Sequence, residues 1–319
     1  MSLVDRAARV KPVILDCDPG HDDMVAIILA AANPEIDLLA ITTVAGNGTL
    51  ERTTRNARAT CALAGIRGVP IAAGAPGPLL GALSTAPVVH GESALDGAEL
   101  PSGDDVPLEP EHAVELIARL LRERADPVTL IPVGPLTNVA LLLRMHPELT
   151  DRIAEIVVMG GSMGAGNVTP FAEFNIWVDP EAAAVVFTSD VPVTLCGLDV
   201  THQALATPAV LERLVALGTP LAATVVDLLG FFRDRYRDIW GLESPPVHDP
   251  VAVARVIDPT VVRCEDAYVA IELHGTHTRG ATVCDRFGVL GHAPNAKVAI
   301  ALDAPRLWDL VIDAVARLG

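Results

Sequence analysis

Lysine is almost missing from this chain: Lys11 and Lys297 are the only two among 319 residues. That shortage removes most lysine-dependent mechanisms. Basic residues number 23 against 40 acidic ones, a formal charge of −17, and no basic stripe runs through the excess of acid. Such a balance speaks against a nucleic-acid backbone as partner. Aromatic side chains are scarce too, with 6 Phe, 3 Trp and 2 Tyr. The five cysteines, 17, 61, 196, 264 and 284, are scattered, odd in number and form no C-x-x-C pair. Neither a disulfide framework nor a zinc ribbon fits that pattern. No uncharged stretch is suited to crossing a membrane. Residues 69–89 are long enough, but Pro70, Pro76, Pro78 and Pro87 break them, and they read as a loop. The N-terminal residues 1–11 are charged and lack the apolar centre of a signal peptide, so a cytoplasmic location is expected. No G-x-G-x-x-G follows the first apolar run and no G-x-x-x-x-G-K-[ST] exists, which leaves dinucleotide and P-loop sites unsupported.

What is abundant is aliphatic. Half the chain is apolar, mostly Ala, Val and Leu, enough for a large core and too much for disorder. Short β-branched runs at 13–15, 38–43, 128–133, 156–159 and 191–195 read as buried strands. Helical stretches lie between them at about 22–32, 50–64, 111–124 and 135–145, and Asp179-Pro180-Glu181 supplies cap, first position and first-turn acid for another. Such alternation predicts an α/β fold with a mostly parallel central sheet wrapped by helices. Later, 207–240 reads as largely helical, and 267–273, 281–284 and 297–302 read as further strands. No composition break divides the chain, so residues 1–319 are expected to form one domain, with a long loop at 74–107 and a helical insertion.

The densest acid sits where open α/β sheets bind ligands, just beyond the C-terminal end of a strand. The first strand runs into Asp16-Cys17-Asp18-Pro19-Gly20-His21-Asp22-Asp23. Four carboxylates in eight residues repel one another unless a cation sits among them, and oxygen donors suit Ca²⁺ or Mg²⁺. One Asp alone would read as a helix cap. Asp16-x-Asp18 also fits an aspartyl phosphatase, although neither lysine is placed to hold a phosphate. Further along, Asn167, Glu173 and Asn175 combine amides with a carboxylate, a mixture suited to hydroxyl recognition or to an ordinary surface loop. His248-Asp249-Pro250 offers a candidate acid or base, and equally a simple helix start. His274 and His277 have ligand-like spacing but read as solvent-exposed, and Asp104-Asp105 reads as solvated loop.

Taken together, the chain resembles the nucleoside hydrolase family. The resemblance rests on D-x-D-P-G-x-D-D at 16–23, V-A-G-N at 44–47, H-G-x-x-x-L-D-G at 90–97 and P-x-G-P-L-T-N at 132–138. M-G-G at 159–161, Glu173-Phe174-Asn175 and His248-Asp249 complete it, in order, over about residues 12–250. It implies a Rossmann-like nucleoside hydrolase fold with helical and strand insertions, and cleavage of the N-glycosidic bond of ribonucleosides to ribose and free base. It further implies one Ca²⁺ held by Asp18, Asp23, the backbone carbonyl of Val133 and Asp249. Asp18 would also be the general base. Asp22, Asn47, Met159, Asn167, Glu173 and Asn175 would hold the ribose, and Asp16 would orient the loop. His248 would be the acid or polar partner of the departing base, with His90 on a mobile covering loop. Phe174, Phe232, Tyr236 and Trp240 form the short list for base contacts, with Phe232 and Tyr236 equally readable as helix packing. Val133 stands where Thr is common in the family, and His21 receives no role. A His at the position of His248 points to pyrimidine nucleosides, uridine and cytidine, with inosine next. The family is often dimeric or tetrameric, so the resemblance implies a homodimer or homotetramer. A nucleoside-binding protein without hydrolysis is the other reading the resemblance leaves open.

Overall fold

The computed structural model describes residues 10–319; the charged N-terminal stretch read from sequence lies, apart from Val10 and Lys11, outside the described residues. Nine strands form one sheet: β1 Lys11–Cys17, β2 Ile36–Thr43, β3 Ile71–Ala73, β4 Val128–Pro132, β5 Ile153–Met159, β6 Val193–Cys196, β7 Val262–Ile271, β8 Thr282–Asp285 and β9 Ala296–Leu302. Their order is β3-β2-β1-β4-β5-β6-β9-β7-β8. Every pairing from β3 across to β9 is parallel, and β7 and β8 close the sheet antiparallel. A parallel strand is covered on both faces, which is why β1 reads Val13-Ile14-Leu15 without polar interruption.

The helices divide between the faces. Against one face lie α1 His21–Ala32, α2 Leu50–Leu63 and the helices that follow β6; α4 Ala113–Glu123, α5 Thr137–Met145 and the helix just before β6 cover the other, with the short α3 Pro87–His90 lying between α2 and α4 in the chain. The short α6 Phe174–Val178 leads into α7 Pro180–Phe187, and α8 Leu198–Thr201 follows β6. Then come α9 Pro208–Val215, α10 Pro220–Trp240, α11 Pro250–Ile257 and α12 Ala304–Leu318. Helix α1 is apolar all round because it is enclosed: everything from His21 to Ala30 is buried, under α2, α11 and α12. Two aliphatic cores result, one on each side of the sheet. Among the described residues no helix is long and apolar enough to cross a membrane.

Most expected elements appear within a few residues of their predicted bounds, and one reading needs correction. Residues 69–89 are not loop throughout. They include β3, whose three residues pair with the end of β2, and the start of α3. Prolines and glycines on either side concealed so short an edge strand. The start of α1 is capped neither by Asp22 nor by Asp23: Gly20 is the cap, and Asp23 reaches back to accept from its backbone N–H at 2.9 Å. Asp179 caps α7 as expected, accepting from Ala182 N at 3.0 Å. Its other oxygen accepts from Leu79 N and Thr137 Oγ1, tying the long loop to α5.

Candidate active site

In this strand order the chain leaves β1 toward β2 on one side and β4 lies on the other, so a crevice opens at the C-terminal ends of β1 and β4. Asp16 ends β1 beside Pro132, and its carbonyl accepts from Val133 N at 2.8 Å. Six carboxylates converge on that point, Asp16, Asp18, Asp22, Asp23, Glu173 and Asp249, and all are buried. Among the described residues no Lys or Arg lines the adjoining cavity.

Hydrogen-bond donors hold five of the six carboxylates. Asp16 Oδ1 accepts from Thr42 Oγ1 at 2.6 Å and Asn138 Nδ2 at 2.8 Å, bracing the end of β1. Asp18 Oδ2 accepts from Asn47 N at 2.6 Å, while its Oδ1 is buried with no protein partner. Asp23 accepts from the backbone of Asp18 and Gly20, and Asn47 Nδ2 reaches both Asp18 O and Asp23 Oδ2 at 3.2 Å. Glu173 caps α6, accepting from Asn175 N and Ile176 N, and also takes Gly161 N at 2.9 Å. Asp22 accepts from His248 N at 3.3 Å, which brings the start of α11 against the first loop.

Burial and mutual repulsion govern the electrostatics. Burial pushes Asp16, Asp22 and Glu173 up to about 7. Asp18 and Asp249 rise well above the carboxylate range, through burial first and neighbouring carboxylates second, and Asp23 is raised by burial. A divalent cation is the counter-charge this set fits. Oxygens of Asp22, Asp23 and Asp249 lie within 4.8 Å of one another, and the orphaned Oδ1 of Asp18 is a ready oxygen donor. The triad so grouped includes Asp22, which the sequence assigned to the sugar. The Val133 carbonyl, an expected ligand, also accepts from Asn175 Nδ2 at 2.8 Å, one of its two lone pairs being enough for that bond.

Above the acids lies a cavity of about 400 Å³, walled by Asp22, Asn47, Val133, Met159, Asn167, Glu173, Phe174, Asn175, His248 and Asp249. Asp18 and Asp23 are fully buried and are not part of that wall. The amides are committed on one side. Asn175 Nδ2 is spent on Val133 O and Met159 O, so its Oδ1 is left for a ligand; Asn167 Oδ1 accepts from Phe174 N, so its Nδ2 is left to donate. Phe232 and Tyr236 pack at 1% and 6% exposure and also line the cavity. Trp240 stands at the rim, 40% exposed. His90 is buried at the end of α3 with its ring against His21 and Phe232, and it lines the cavity.

His248 is engaged through both ring nitrogens: Nδ1 lies 2.8 Å from Thr201 Oγ1 and Nε2 2.9 Å from the Tyr236 hydroxyl. Burial drives its pKa down to about 3, so the ring is neutral. Thr201, Trp177, Ser84, Thr85, Val88 and Val89 escaped the sequence reading. Only Trp177 carried a usable signal, as an aromatic two residues past Asn175. His274 and His277 are exposed as expected, and among the described residues neither belongs to a group of candidate metal ligands.

Comparison with known proteins agrees with this geometry. The sequence profile described as inosine-uridine preferring nucleoside hydrolase matches residues 13–309. The chain is 48% identical over 303 residues to proteins from Escherichia coli and Shigella flexneri named pyrimidine-specific ribonucleoside hydrolase RihA, covering 95% of this chain and 97% of theirs. Among solved structures it is similar to a purine-preferring ribonucleoside hydrolase from Gardnerella vaginalis, with a TM-score of 0.90, 33% identity and coverage of 97% and 99%. A plant nucleoside hydrolase, PpNRh1, superposes with a TM-score of 0.89 at 29% identity, covering 96% and 99%.

Proposed function

The chain belongs to the inosine-uridine preferring nucleoside hydrolase family, and from that premise we propose that it is a Ca²⁺-dependent enzyme acting first on pyrimidine ribonucleosides. Its reaction is hydrolysis of an N-glycosidic bond, releasing ribose and a free base. One observation carries the proposal: six buried carboxylates gathered at the β1/β4 crevice, below a cavity that no Lys or Arg among the described residues lines. A phosphate ester would find no counter-charge there, which disfavours the phosphatase reading.

Asp18, Asp23, Asp249 and the Val133 carbonyl are the proposed ligands, and Asp22 lies close enough to join them. A cation held there would supply counter-charge, a site for a vicinal diol and a lowered pKa for a bound water. Asp18 then accepts a proton from the attacking water through its unpartnered Oδ1. Cleavage leaves positive charge on the ribose ring, as in glycoside hydrolysis. The surrounding carboxylates of Asp22 and Glu173 stabilise that charge as it develops, so they bind the transition state better than the substrate. Asn47, Met159, Asn167 and Asn175 complete the ribose cradle through the free amide atoms described above.

The departing base needs a proton. Tyr236 and His248 supply it together: the hydroxyl gives its proton to the base, a neutral His248 steadies the phenolate left behind by donating through Nε2–H, and water restores the hydroxyl once the base has departed. Such a relay suits a ring that burial keeps neutral. Phe174, Phe232 and the rim residues Trp177 and Trp240 form the base-facing wall. Uridine and cytidine are favoured by His248 and by the 48% identity to proteins named pyrimidine-specific. Inosine is the next candidate, since the more distant structural relatives include a purine-preferring enzyme.

The rest of the reading is a cytoplasmic, single-domain homo-oligomer. Five free cysteines support a reducing compartment. One sheet drawing strands from residues 11–302 supports one domain. The exposed apolar run Phe287, Val289 and Leu290 supports self-association as a dimer or tetramer. The test of function is incubation with uridine, cytidine, inosine and a phosphate monoester, with and without a chelator, measuring reducing sugar and phosphate. Reducing sugar that disappears on chelation is expected. Phosphate release, or nucleoside binding without sugar release, would overturn the proposal.

A further inference from the structure

Helix α1 opens on a fully buried histidine, His21, for which the proposed chemistry has no use. Its ring is stacked on Phe231 and Phe232, nearly parallel to both, with centroids 5.3 and 5.1 Å away. Its Nε2 lies 2.8 Å from the backbone carbonyl of Asp96, and its Nδ1 lies 3.0 Å from Nδ1 of His90. Those two contacts settle where the protons are. A carbonyl only accepts, so the proton of a neutral His21 is on Nε2 and its Nδ1 is a bare acceptor. The contact between the two Nδ1 atoms then closes only if His90 carries its own proton on Nδ1. The backbone N–H of His21 also points at His90 Nδ1, but at 3.4 Å it is too long to compete. Both rings are buried and stacked among aromatic side chains, surroundings that favour the neutral imidazole this pattern needs.

The carbonyl that starts the chain of bonds is itself fixed. Asp96 N donates to His90 O at 3.1 Å, closing the loop, and the Asp96 carboxylate accepts from the backbone of Glu92 and Ser93 and from the Ser93 hydroxyl. Among the described residues nothing bonds His90 Nε2, and His90 lines the cavity beside Asp22 and Asn47. Its lone pair is therefore left for a ligand.

We propose that His21 is a positioning residue: between the Asp96 carbonyl and His90 it fixes the ring plane and tautomer of His90, so that His90 Nε2 accepts a hydrogen bond from a ribose hydroxyl. The identity of the ligand rests on the nucleoside hydrolase reading; the tautomer does not. Two measurements therefore separate the failures. Long-range ¹⁵N–¹H spectra of the Ca²⁺-loaded protein read the histidine tautomers directly, with His90→Gln identifying the His90 signals. The proton should be on Nδ1 of His90 in the wild type and should move wholly or partly to Nε2 in His21→Phe. A wild-type proton on Nε2, or a tautomer unchanged in His21→Phe, would overturn the proposal even if uridine is cleaved.

Kinetics supply the second measurement. His21→Phe keeps the stacked ring and should lower kcat/KM for uridine by about ten- to a hundredfold, the cost of a misplaced contact. His21→Asn, whose Oδ1 can accept from His90 Nδ1, should recover part of that loss. In a His90→Phe background the His21→Phe change should cost nothing further. Equal losses in both backgrounds would make His21 a packing residue only. Should His21→Phe fail to fold, the wild-type spectrum and His21→Asn still decide the question.

Discussion

Removing the divalent cation and following the melting temperature from about pH 6.5 to about pH 8 tests the electrostatics of the site without relying on catalysis. In the cation-free protein the carboxylates have raised pKa values: Asp16, Asp22 and Glu173 reach about 7, and Asp18 and Asp249 lie well above the ordinary range. In the unfolded chain the same groups titrate near their ordinary values, around 4. Across the window the native state therefore binds more protons than the unfolded one, and stability falls as pH rises. The buried histidines act in the opposite sense only at lower pH. His21 and His248 are held down to about 4 and about 3, so below about 6.5 the unfolded chain takes up protons that they do not. Starting at pH 6.5 avoids most of that contribution. The carboxylates repel each other and do not titrate independently, so one retained proton is a safe minimum. One proton over that interval amounts to roughly 2 kcal/mol, or on the order of 4 °C in a chain of this size. Saturating Ca²⁺ favours the ionised carboxylates and should flatten or reverse the slope. Differential scanning fluorimetry with and without chelator reads both curves. A melting temperature that is constant or rising in chelator, or the same slope with and without Ca²⁺, would refute the electrostatic reasoning.

Other perturbations probe separate parts of the site. Tyr236→Phe and His248→Ala should each lower kcat for uridine by about 10²–10⁴-fold, and the double variant should be little worse than either, because the two form one relay; additive losses in stopped assays would separate them. Gly46→Ala would place a methyl 2.1 Å from Asp18 Oδ2, so calorimetric titration should show Ca²⁺ affinity collapsing while the far-ultraviolet dichroism persists. Asn138→Ala removes donors from Asp16 Oδ1 and Thr43 O and the acceptor for Ala75 N, and should cost about 2–4 kcal/mol in urea unfolding.

What could be read in advance was whatever depends on local order along the chain. The apolar run before Asp16 marks a buried strand, and the crowding of Asp16, Asp18, Asp22 and Asp23 after it marks a cation site, because like charges that close need a common partner. The Asp179-Pro180 helix start was equally local. Concealed features depend on distant chain segments meeting. Strand β3 is three residues long and owes its state to pairing with β2. Thr201 becomes a partner of His248 only because α8 and the start of α11 are brought together. Asp22 joins Asp23 and Asp249 in one oxygen cluster, a grouping that spacing along the sequence does not reveal. His21 could not be interpreted from its motif at all, since its partners, Asp96 and His90, come from a loop some seventy residues away.

The central claim is that the buried acids form machinery for hydrolysing a nucleoside around one cation, with Asp18 as base. Its most direct test compares wild type and Asp18→Asn in a reducing-sugar assay on uridine, in chelator and then with Ca²⁺ restored. The account predicts ribose release by wild type only when Ca²⁺ is present, and release by Asp18→Asn lowered by at least about 10²-fold even at saturating Ca²⁺. Near wild-type release by Asp18→Asn, or wild-type release that survives complete chelation, would contradict it.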